Sequence, residues 1–359
     1  MNKIAELISR LCPDGVEFKT LDSLVSYVQP GPYIVSSTEY DAHYSTPVLT
    51  AGQSFILGYT NEEEGIYNAS SQKPVIIFDD FTTSFHWVDF DFKVKSSALK
   101  ILKMKDKQEA DFRYIYMAMK TIHFIPTNHI RHWISLYSKF EIPLPPLNIQ
   151  KEIVSILDSF TSLIDKMKQE EEMRKKQMEY YLNILICKDN VAARLFGDIG
   201  VVQRGKRVVR KELALQGCIP VFQNSLTPLG YYQYSNIPAN NTFIISAGTA
   251  GEIGFSAKPF WAADDCLVIS SVLCDSKYLY YYLKTQEQFL KSQIRGGAMK
   301  RLSRETIEKL EIPVPSLEKQ RQIASILDSF ETYISKLEKM IELRQKQYEY
   351  YREKLLTFE

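Results

Sequence analysis

Four residues have the types a metal-dependent nuclease would need. Asp79-Asp80 is followed by Asp91-x-Lys93, and such a set could hold a divalent cation on its carboxylates with a lysine beside the attacked phosphate. The same stretch also reads as an ordinary strand. In Asp89-x-Asp91-x-Lys93-x-Lys95 the charged residues alternate with Phe90, Phe92 and Val94, the pattern of a strand with one wet face. All five histidines fall in the first 140 residues, and His123, His129 and His132 lie close to Arg131 and Trp133. No fourth ligand stands at a spacing that would complete a metal site. A polar loop touching phosphates or base edges suits this text, and so does plain solvated surface.

The second half of the chain carries two basic stretches. Arg204-Gly205-Lys206-Arg207-Val208-Val209-Arg210-Lys211 places five positive charges within eight residues, and Lys291 to Arg304 holds five more around Gly296-Gly297. Lysine and arginine neutralise backbone phosphates, and glycine lets main-chain N–H groups approach them. A solvated charged face is the bland alternative. Arg207, Arg301, Gln223 and Asn224 are of types that bond guanine or adenine in two places at once in the major groove. The candidate DNA contacts are therefore Arg204, Lys206, Arg207, Arg210, Lys211, Gln223, Asn224, Arg295, Lys300 and Arg301, with His129, Arg131 and His132 in the first half.

Several kinds of chemistry have no motif here. The sequence has no Gly-x-x-x-x-Gly-Lys-Ser/Thr, no Gly-x-Gly after a strand and no Asn/Asp-Pro-Pro-Tyr/Phe, so nucleotide-driven motors, dinucleotide or S-adenosylmethionine sites and amino-methyltransferase centres are not indicated. Five cysteines without any C-x-x-C indicate neither a zinc site nor a disulfide scaffold. No apolar run reaches the roughly 18–20 residues of a membrane span, and the start of the chain lacks a signal-peptide pattern. A cytoplasmic setting is expected. Net charge is +1, but its distribution is uneven. Residues 1–140 hold 14 Lys/Arg against 16 Asp/Glu, and residues 187–310 hold 16 against 10. Only the second of these regions is obviously suited to a polyanion.

The elements that must carry these residues are announced by a repeat. Residues 141–186 return as 311–356, identical at 23 of 46 positions. Glu141-Ile142-Pro143-x-Pro145-x-Leu147-x-x-Gln150 returns from Glu311 to Gln320, and Ser155 to Phe160 returns unchanged as Ser325 to Phe330. Each copy opens on a proline-rich connector, stiff and non-helical. Beyond it apolar residues fall at heptad spacing, as Ile153, Leu157, Phe160, Ile164 and Met167, and again as Ile323, Leu327, Phe330, Ile334 and Leu337. Nearly five heptads per copy predict two long helices, each roughly 55 Å, that pack against one another. Arg174 and Arg344 take equivalent seam positions, where a polar residue is usually a register device or a slot for a partner's carboxylate rather than a catalytic group.

The regions before the repeats are richer in strands and turns. Weak matches link them: Val28-Gln29-x-Gly31 with Val202-Gln203-x-Gly205, Leu57-Gly58-Tyr59 with Leu229-Gly230-Tyr231, and a tyrosine-rich helix at residues 112–117 with one at 277–282. They read as one α+β fold used twice with diverged sequence. Preserved helices joined to diverged domains imply a shared mechanical role and two different readouts.

The order globular–helix–globular–helix, the doubled I-P-x-P-x-L-x-x-Q segment and the opening Leu11-Cys12-Pro13-Asp14-Gly15-Val16-Glu17 closely resemble the specificity (S) subunit of type I restriction–modification systems. So does Gly296-Gly297-x-x-Lys300-x-Leu302 ahead of Glu311-Ile312-Pro313. The resemblance covers essentially the whole chain and is weakest within residues 30–130. It implies a non-catalytic subunit. Two α+β target recognition domains (1–140 and 187–310) would alternate with two conserved helical regions (141–186 and 311–359) that pair as an antiparallel coiled coil. Each domain would read half of a split double-stranded DNA target, with the helices setting the unread gap. Two methyltransferase subunits would bring S-adenosylmethionine and methylate adenine, and restriction subunits would bring ATP and magnesium chemistry. The chain itself would hold no cofactor. Two rivals remain: an endonuclease built on Asp79, Asp80, Asp91 and Lys93, and a coiled-coil adaptor that binds only protein.

Overall fold

The computed structural model describes residues 2–358 apart from 51–53, 106–109, 127–129, 188–190 and 295–300. The chain divides into two units, one of residues 1–166 with 341–359 and one of residues 167–340.

The first unit opens with helix α1 (Asn2–Leu11), strand β1 (Phe18–Thr20) and the one-turn α2 (Leu21–Leu24). Seven strands follow: β2 (Val25–Val28), β3 (Thr46–Leu49), β4 (Ile56–Thr60), β5 (Val75–Asp79), β6 (Phe85–Val88), β7 (Lys93–Val94) and β8 (Leu99–Met104). Helix α3 (Phe112–Met119) and β9 (Glu141–Pro143) lead into the long α4 (Leu147–Cys187). The strands form an antiparallel sheet in the order β2-β8-β5-β6, a three-stranded sheet β4-β3-β7 and the pair β1-β9. Val75 to Phe78 are buried on both faces of β5, as a central strand between two apolar layers requires. One layer packs toward α3 and the start of α4, the other toward Leu49, Phe92 and Val94.

The second unit repeats this plan element by element. Strand β10 (Ala193–Leu195), α5 (Phe196–Ile199), β11 (Gly200–Arg204), β12 (Ile219–Phe222), β13 (Gly230–Tyr232), β14 (Asn241–Ile245), β15 (Ile253–Ser256), β16 (Trp261–Ala262) and β17 (Cys266–Ser271) precede α6 (Ser276–Thr285). Two short helices, α7 (Glu287–Ser292) and α8 (Arg304–Glu308), then β18 (Glu311–Pro313), lead into α9 (Leu317–Leu356). The sheet orders are β11-β17-β14-β15, β13-β12-β16 and β10-β18, the first unit's topology with new residues. The register keeps Leu57-Gly58-Tyr59 equivalent to Leu229-Gly230-Tyr231, because Gly58 pairs with Val48 as Gly230 pairs with Val221. It corrects the other strand match. Val28 pairs with Ile101, and the residue placed as Val28 in the second unit is Gln203, which pairs with Val268. The Val-Gln-x-Gly likeness is thus one residue out of register.

The heptad seam holds in both helices. Ile153, Leu157, Ile164 and Met167 in α4, and Ile323, Leu327, Ile334, Leu337 and Ile341 in α9, are buried. In the first unit the start of α4 meets the end of α9, with Phe160 and Tyr351 rings 5.5 Å apart. In the second the end of α4 meets the start of α9, with Tyr181 stacked on Phe330 at 5.5 Å. The pairing is therefore an antiparallel coiled coil. Lys175 bridges to Glu338 at 2.8 Å, and the Tyr333 hydroxyl donates to Glu170 at 2.6 Å. Seam residues Arg174 and Arg344 each fold along their own helix onto a glutamine three residues on, Gln177 and Gln347. The helices have 41 and 40 residues, so each is about 60 Å long.

The repeated glutamine explains why the connector text is preserved. Gln150 Oε1 accepts from the Asp111 N–H at 2.8 Å, and Gln320 Oε1 accepts from the Asp275 N–H at 2.7 Å. Their amides donate to Pro145 and Pro315 carbonyls at 2.7 and 2.8 Å. Asp111 and Asp275 are the N-caps of α3 and α6, accepting from the second and third backbone N–H groups beyond them. Tyr114 and Tyr278 close the junction by donating to Pro143 and Pro313 carbonyls, both at 2.9 Å.

Candidate nucleic-acid interface

The second unit gathers four of its basic candidates, Arg204, Lys206, Arg207 and Arg301, around one turn, Ala263–Cys266. From one side the Gly205 N–H donates to the Cys266 carbonyl at 2.9 Å, the Lys206 N–H to Ala262 at 2.9 Å and Arg204 Nε to Asp264 at 2.8 Å. Trp261 Nε1 returns a bond to the Lys206 carbonyl at 2.8 Å. Only glycine fits at 205, because a Cβ there would stand 2.1 Å from the Ala263 oxygen. From the other side the Ala263 N–H reaches the Phe222 carbonyl at 2.9 Å, which sets Gln223 and Asn224 beside the turn. Ser246 donates to Asp265 and accepts from Leu302, and Arg301 Nη2 lies 3.3 Å from Asp265 Oδ1.

Arg204, Lys206, Arg207 and Asn224 are exposed and Arg301 is half-buried. The turn therefore displays guanidinium, ammonium and carboxamide groups from three separate chain segments. Arg210 and Lys211 sit further along the same segment on a 3-10 turn, where Glu212 accepts from Tyr232 at 2.9 Å. Arg295 and Lys300 fall outside the described residues, as does His129. Asp264 and Asp265 belong to no motif that the sequence shows. Their backbone and carboxylate oxygens are what hold Arg204 and Arg301. Beneath them Cys266 is sealed in, and burial pushes its thiol up to about 12.

The first unit carries an equivalent arm. His132 donates its N–H to the Asp80 carbonyl at 2.8 Å as Leu302 does to Ser246, and the Asp80 N–H meets Ala98 as Ser246 meets Asp265. Arg131, exposed, thus stands where Arg301 stands in the second unit. His132 does not join it at the surface. Its ring is buried against Phe124, centroids 5.3 Å apart, so its place is in the packing under the arm. His123 is exposed and faces Glu353 at 3.8 Å.

The nuclease quartet does not assemble. Asp79 caps its own turn, accepting from Phe81 and Thr82 N–H groups at 2.8 and 3.0 Å. Asp80, 1% exposed, pairs with Lys100, also 1% exposed, at 3.3 Å. Asp91 accepts from Asn68 at 3.1 Å. Lys93 is buried, bridging to Glu62 at 2.9 Å and donating to the Glu64 carbonyl at 2.6 Å. That last fact also corrects the alternating-strand reading of residues 89–95. Phe90 is exposed and Lys93 is inside, because a loop distant in sequence supplies Glu62 as its partner. The Lys93 bond holds the Glu62 carboxyl below the usual glutamate range, helped by the Ser37 and Ser36 N–H groups. No group of three His, Cys, Asp or Glu among the described residues could hold a metal ion.

Two copies of one α+β fold, mounted on paired antiparallel helices and each presenting an arginine at the same framework position, define a doubled recognition scaffold. The family model of the type I restriction modification DNA specificity domain matches residues 13–173 and again 189–345, and the chain belongs to that family, with two target recognition domains. It is 36% identical over 388 aligned positions to the specificity subunit of the type I restriction enzyme EcoR124I/EcoR124II of Escherichia coli, covering 96% of this chain and 95% of that one. A putative type I specificity subunit from Haemophilus influenzae is 28% identical over 379 positions, covering 96% of each. Among solved structures, the S subunit of a type I system from M. genitalium superposes with a TM-score of 0.71 at 18% identity, over 95% of this chain and 96% of that one.

Proposed function

We propose that this specificity subunit reads a split, asymmetric double-stranded DNA target without doing chemistry of its own. The observation that carries this is the contrast between the units: identical topology, a helix repeat identical at 23 of 46 positions, and diverged residues in the domains before it. Residues 1–140 and 187–310 read the two half-sites, and the helical regions 141–186 and 311–359 set the unread gap. Arg131 in one domain, and Arg204, Lys206, Arg207, Gln223, Asn224 and Arg301 in the other, are the proposed DNA contacts, with Arg210 and Lys211 on nearby phosphates. Arg295 and Lys300 belong to the same basic stretch in sequence.

The partners are two methyltransferase subunits and, for cleavage, restriction subunits. S-adenosylmethionine, ATP and magnesium act on those partners, and the assembly works in the cytoplasm, where its DNA is. Among the described residues no helix is long and apolar enough to cross a membrane. Exchange of residues 20–140 for the matching domain of a relative tests the reading. The methylated target should change in one half-site only. A simultaneous change in both halves would contradict independent readers, and no sequence-dependent protection of DNA by the reconstituted complex would favour a protein-only adaptor.

A further inference from the structure

The two recognition domains share little sequence, yet each grips the helix repeat beneath it through a charged clasp at the same place. In the first unit the clasp is Arg113. Its guanidinium lies over Trp87 and Tyr116, 4.8 and 5.2 Å from the ring centroids. It also forks onto Asp158 of α4, with Nη2 2.8 Å and Nε 3.1 Å from Oδ1. In the second unit Lys277 takes that position, two residues after the cap in both cases. It sits over Phe255, Tyr280 and Tyr281 at 4.3, 4.8 and 5.4 Å, and reaches Asp328 of α9 at 3.0 Å and Glu331 at 3.5 Å. Trp87 and Phe255 are equivalent by strand register, since Trp87 pairs with Ile76 and Phe255 with Thr242.

Arginine and lysine are not interchangeable, and each copy compensates in its own way. The arginine fork puts two donors on Asp158 Oδ1 and keeps Nε 3.4 Å from Oδ2. The lysine delivers a point charge, and the missing donors come from Tyr281, whose hydroxyl donates to Asp328 Oδ1 at 2.7 Å, and Tyr280, which donates to Glu331 at 2.9 Å. Burial, reinforced by these carboxylates, pushes both hydroxyls well up, so they remain donors. Two different chemistries therefore reach one result, a carboxylate of the repeated S-I-L-D-S-F segment tied to the first turn of the domain's tyrosine-rich helix.

Core packing does not require this tie. Asp158 and Asp328 side chains are 39% and 46% exposed, while the buried glutamines and caps already join helix to domain. We propose that the Arg113–Asp158 and Lys277–Asp328 pairs are positioning residues that stop each recognition domain from rocking on its helix, and so sharpen the selection of the gap between half-sites. This rests on the two-reader assignment above. A domain free to tilt would let a neighbouring gap length be reached at lower cost, without altering which bases either domain reads.

The test is methylation by the full complex with its methyltransferase partner, on DNA carrying the mapped half-sites with the gap set at its native length and at one base pair more or less. The native chain should prefer the native gap. Equal methylation at every gap would overturn the spacer reading itself, and the clasp with it. In the double variant Asp158→Asn and Asp328→Asn, the preference should fall about threefold to tenfold with half-site sequence unchanged, since each partly exposed pair gives up a modest interaction. The charge-preserving Asp158→Glu and Asp328→Glu variant should recover most of it. An unchanged preference in the asparagine variant, or an equal loss of methylation at all gaps, would overturn the clasp. If that variant fails to assemble, Arg113→Lys installs the cation the second unit already uses but not its tyrosine donors. A lowered gap preference there supports the clasp, and an unchanged one refutes it.

Discussion

Asp80 and Lys100 form an ion pair from which water is almost wholly excluded, both side chains being 1% exposed. Lys100 Nζ also donates to Gln29 Oε1 at 3.1 Å and lies 5.2 Å from the centre of the Tyr27 ring. Asp80 Oδ1 accepts from the Trp133 N–H at 2.9 Å, so the pair anchors the arm that carries Arg131. Replacing Lys100 by methionine keeps the length of the side chain and strands a carboxylate in the interior. Breaking a buried pair from one side costs about 3–5 kcal/mol, whereas replacing both partners by well-packed apolar groups of similar volume is often nearly neutral. In the double variant Asp80→Asn and Lys100→Met, the asparagine oxygen still accepts from Trp133. Its amide nitrogen loses the lysine as a neighbour, so the loss should be about 1–3 kcal/mol, the cost of one buried donor left unpaired and less than that of a stranded charge. Urea unfolding followed by tryptophan fluorescence measures this directly, because Trp87 and Trp133 lie in the first unit and Trp261 in the second. Lys100→Met should lower the midpoint of the first unit's transition and leave the second in place, and the double variant should restore part of it. If Lys100→Met costs no more than the double variant, the pair is not mutually compensated and the reasoning fails.

Three further outcomes are expected. Gly205→Ala forces a Cβ to within 2.1 Å of the Ala263 oxygen, so the second unit should lose about 1–3 kcal/mol, read from Trp261, whose indole bonds the Lys206 carbonyl. Arg301→Ala should weaken binding about tenfold on the second half-site alone, and lower the salt dependence of binding by about one counterion if the contact is to phosphate, as fluorescence anisotropy of the reconstituted complex would show. The Glu62–Lys93 bridge should be pH-sensitive in one direction. A carboxyl whose pKa is lowered in the folded state adds stability above its ordinary value, near 4.5, and loses it as pH falls below that. Protection of the Ser36 and Ser37 amides, which donate to Glu62, taken relative to the intrinsic exchange rate at each pH, should therefore fall on acidification, and protection independent of pH in Lys93→Met would assign the effect to the pair.

What could be read from the chain was what lies close in sequence. The heptads of residues 153–185 and 323–355 place their own seam, because a helix is local and its partner is a copy of itself. The Leu-Gly-Tyr match of β4 and β13 survives since a Cβ at Gly58 or Gly230 meets neighbouring side chains at 2.6 and 3.1 Å. Residues whose role depends on a remote partner were misplaced. Lys93 looks like a wet strand position until Glu62 is brought to it, and His132 looks like a loop residue until Phe124 covers it. Arg131 and Arg301 were each picked out for their charge, but their equivalence rests on backbone bonds to Asp80 and Ser246 that no residue type announces. Gln150 and Gln320 stood in a visible motif whose purpose, closing a helix cap more than 35 residues upstream, only the fold supplies.

The central claim is that two domains on a helical spacer read two half-sites at a fixed separation. Long-read mapping of methylated adenines, in cells carrying the intact system and in cells lacking this chain, tests it most directly. The account predicts methylation confined to one asymmetric sequence in two parts with an invariant gap, and lost when the chain is absent. Methylation at a single uninterrupted sequence, at variable gaps, or persisting without the chain would contradict it.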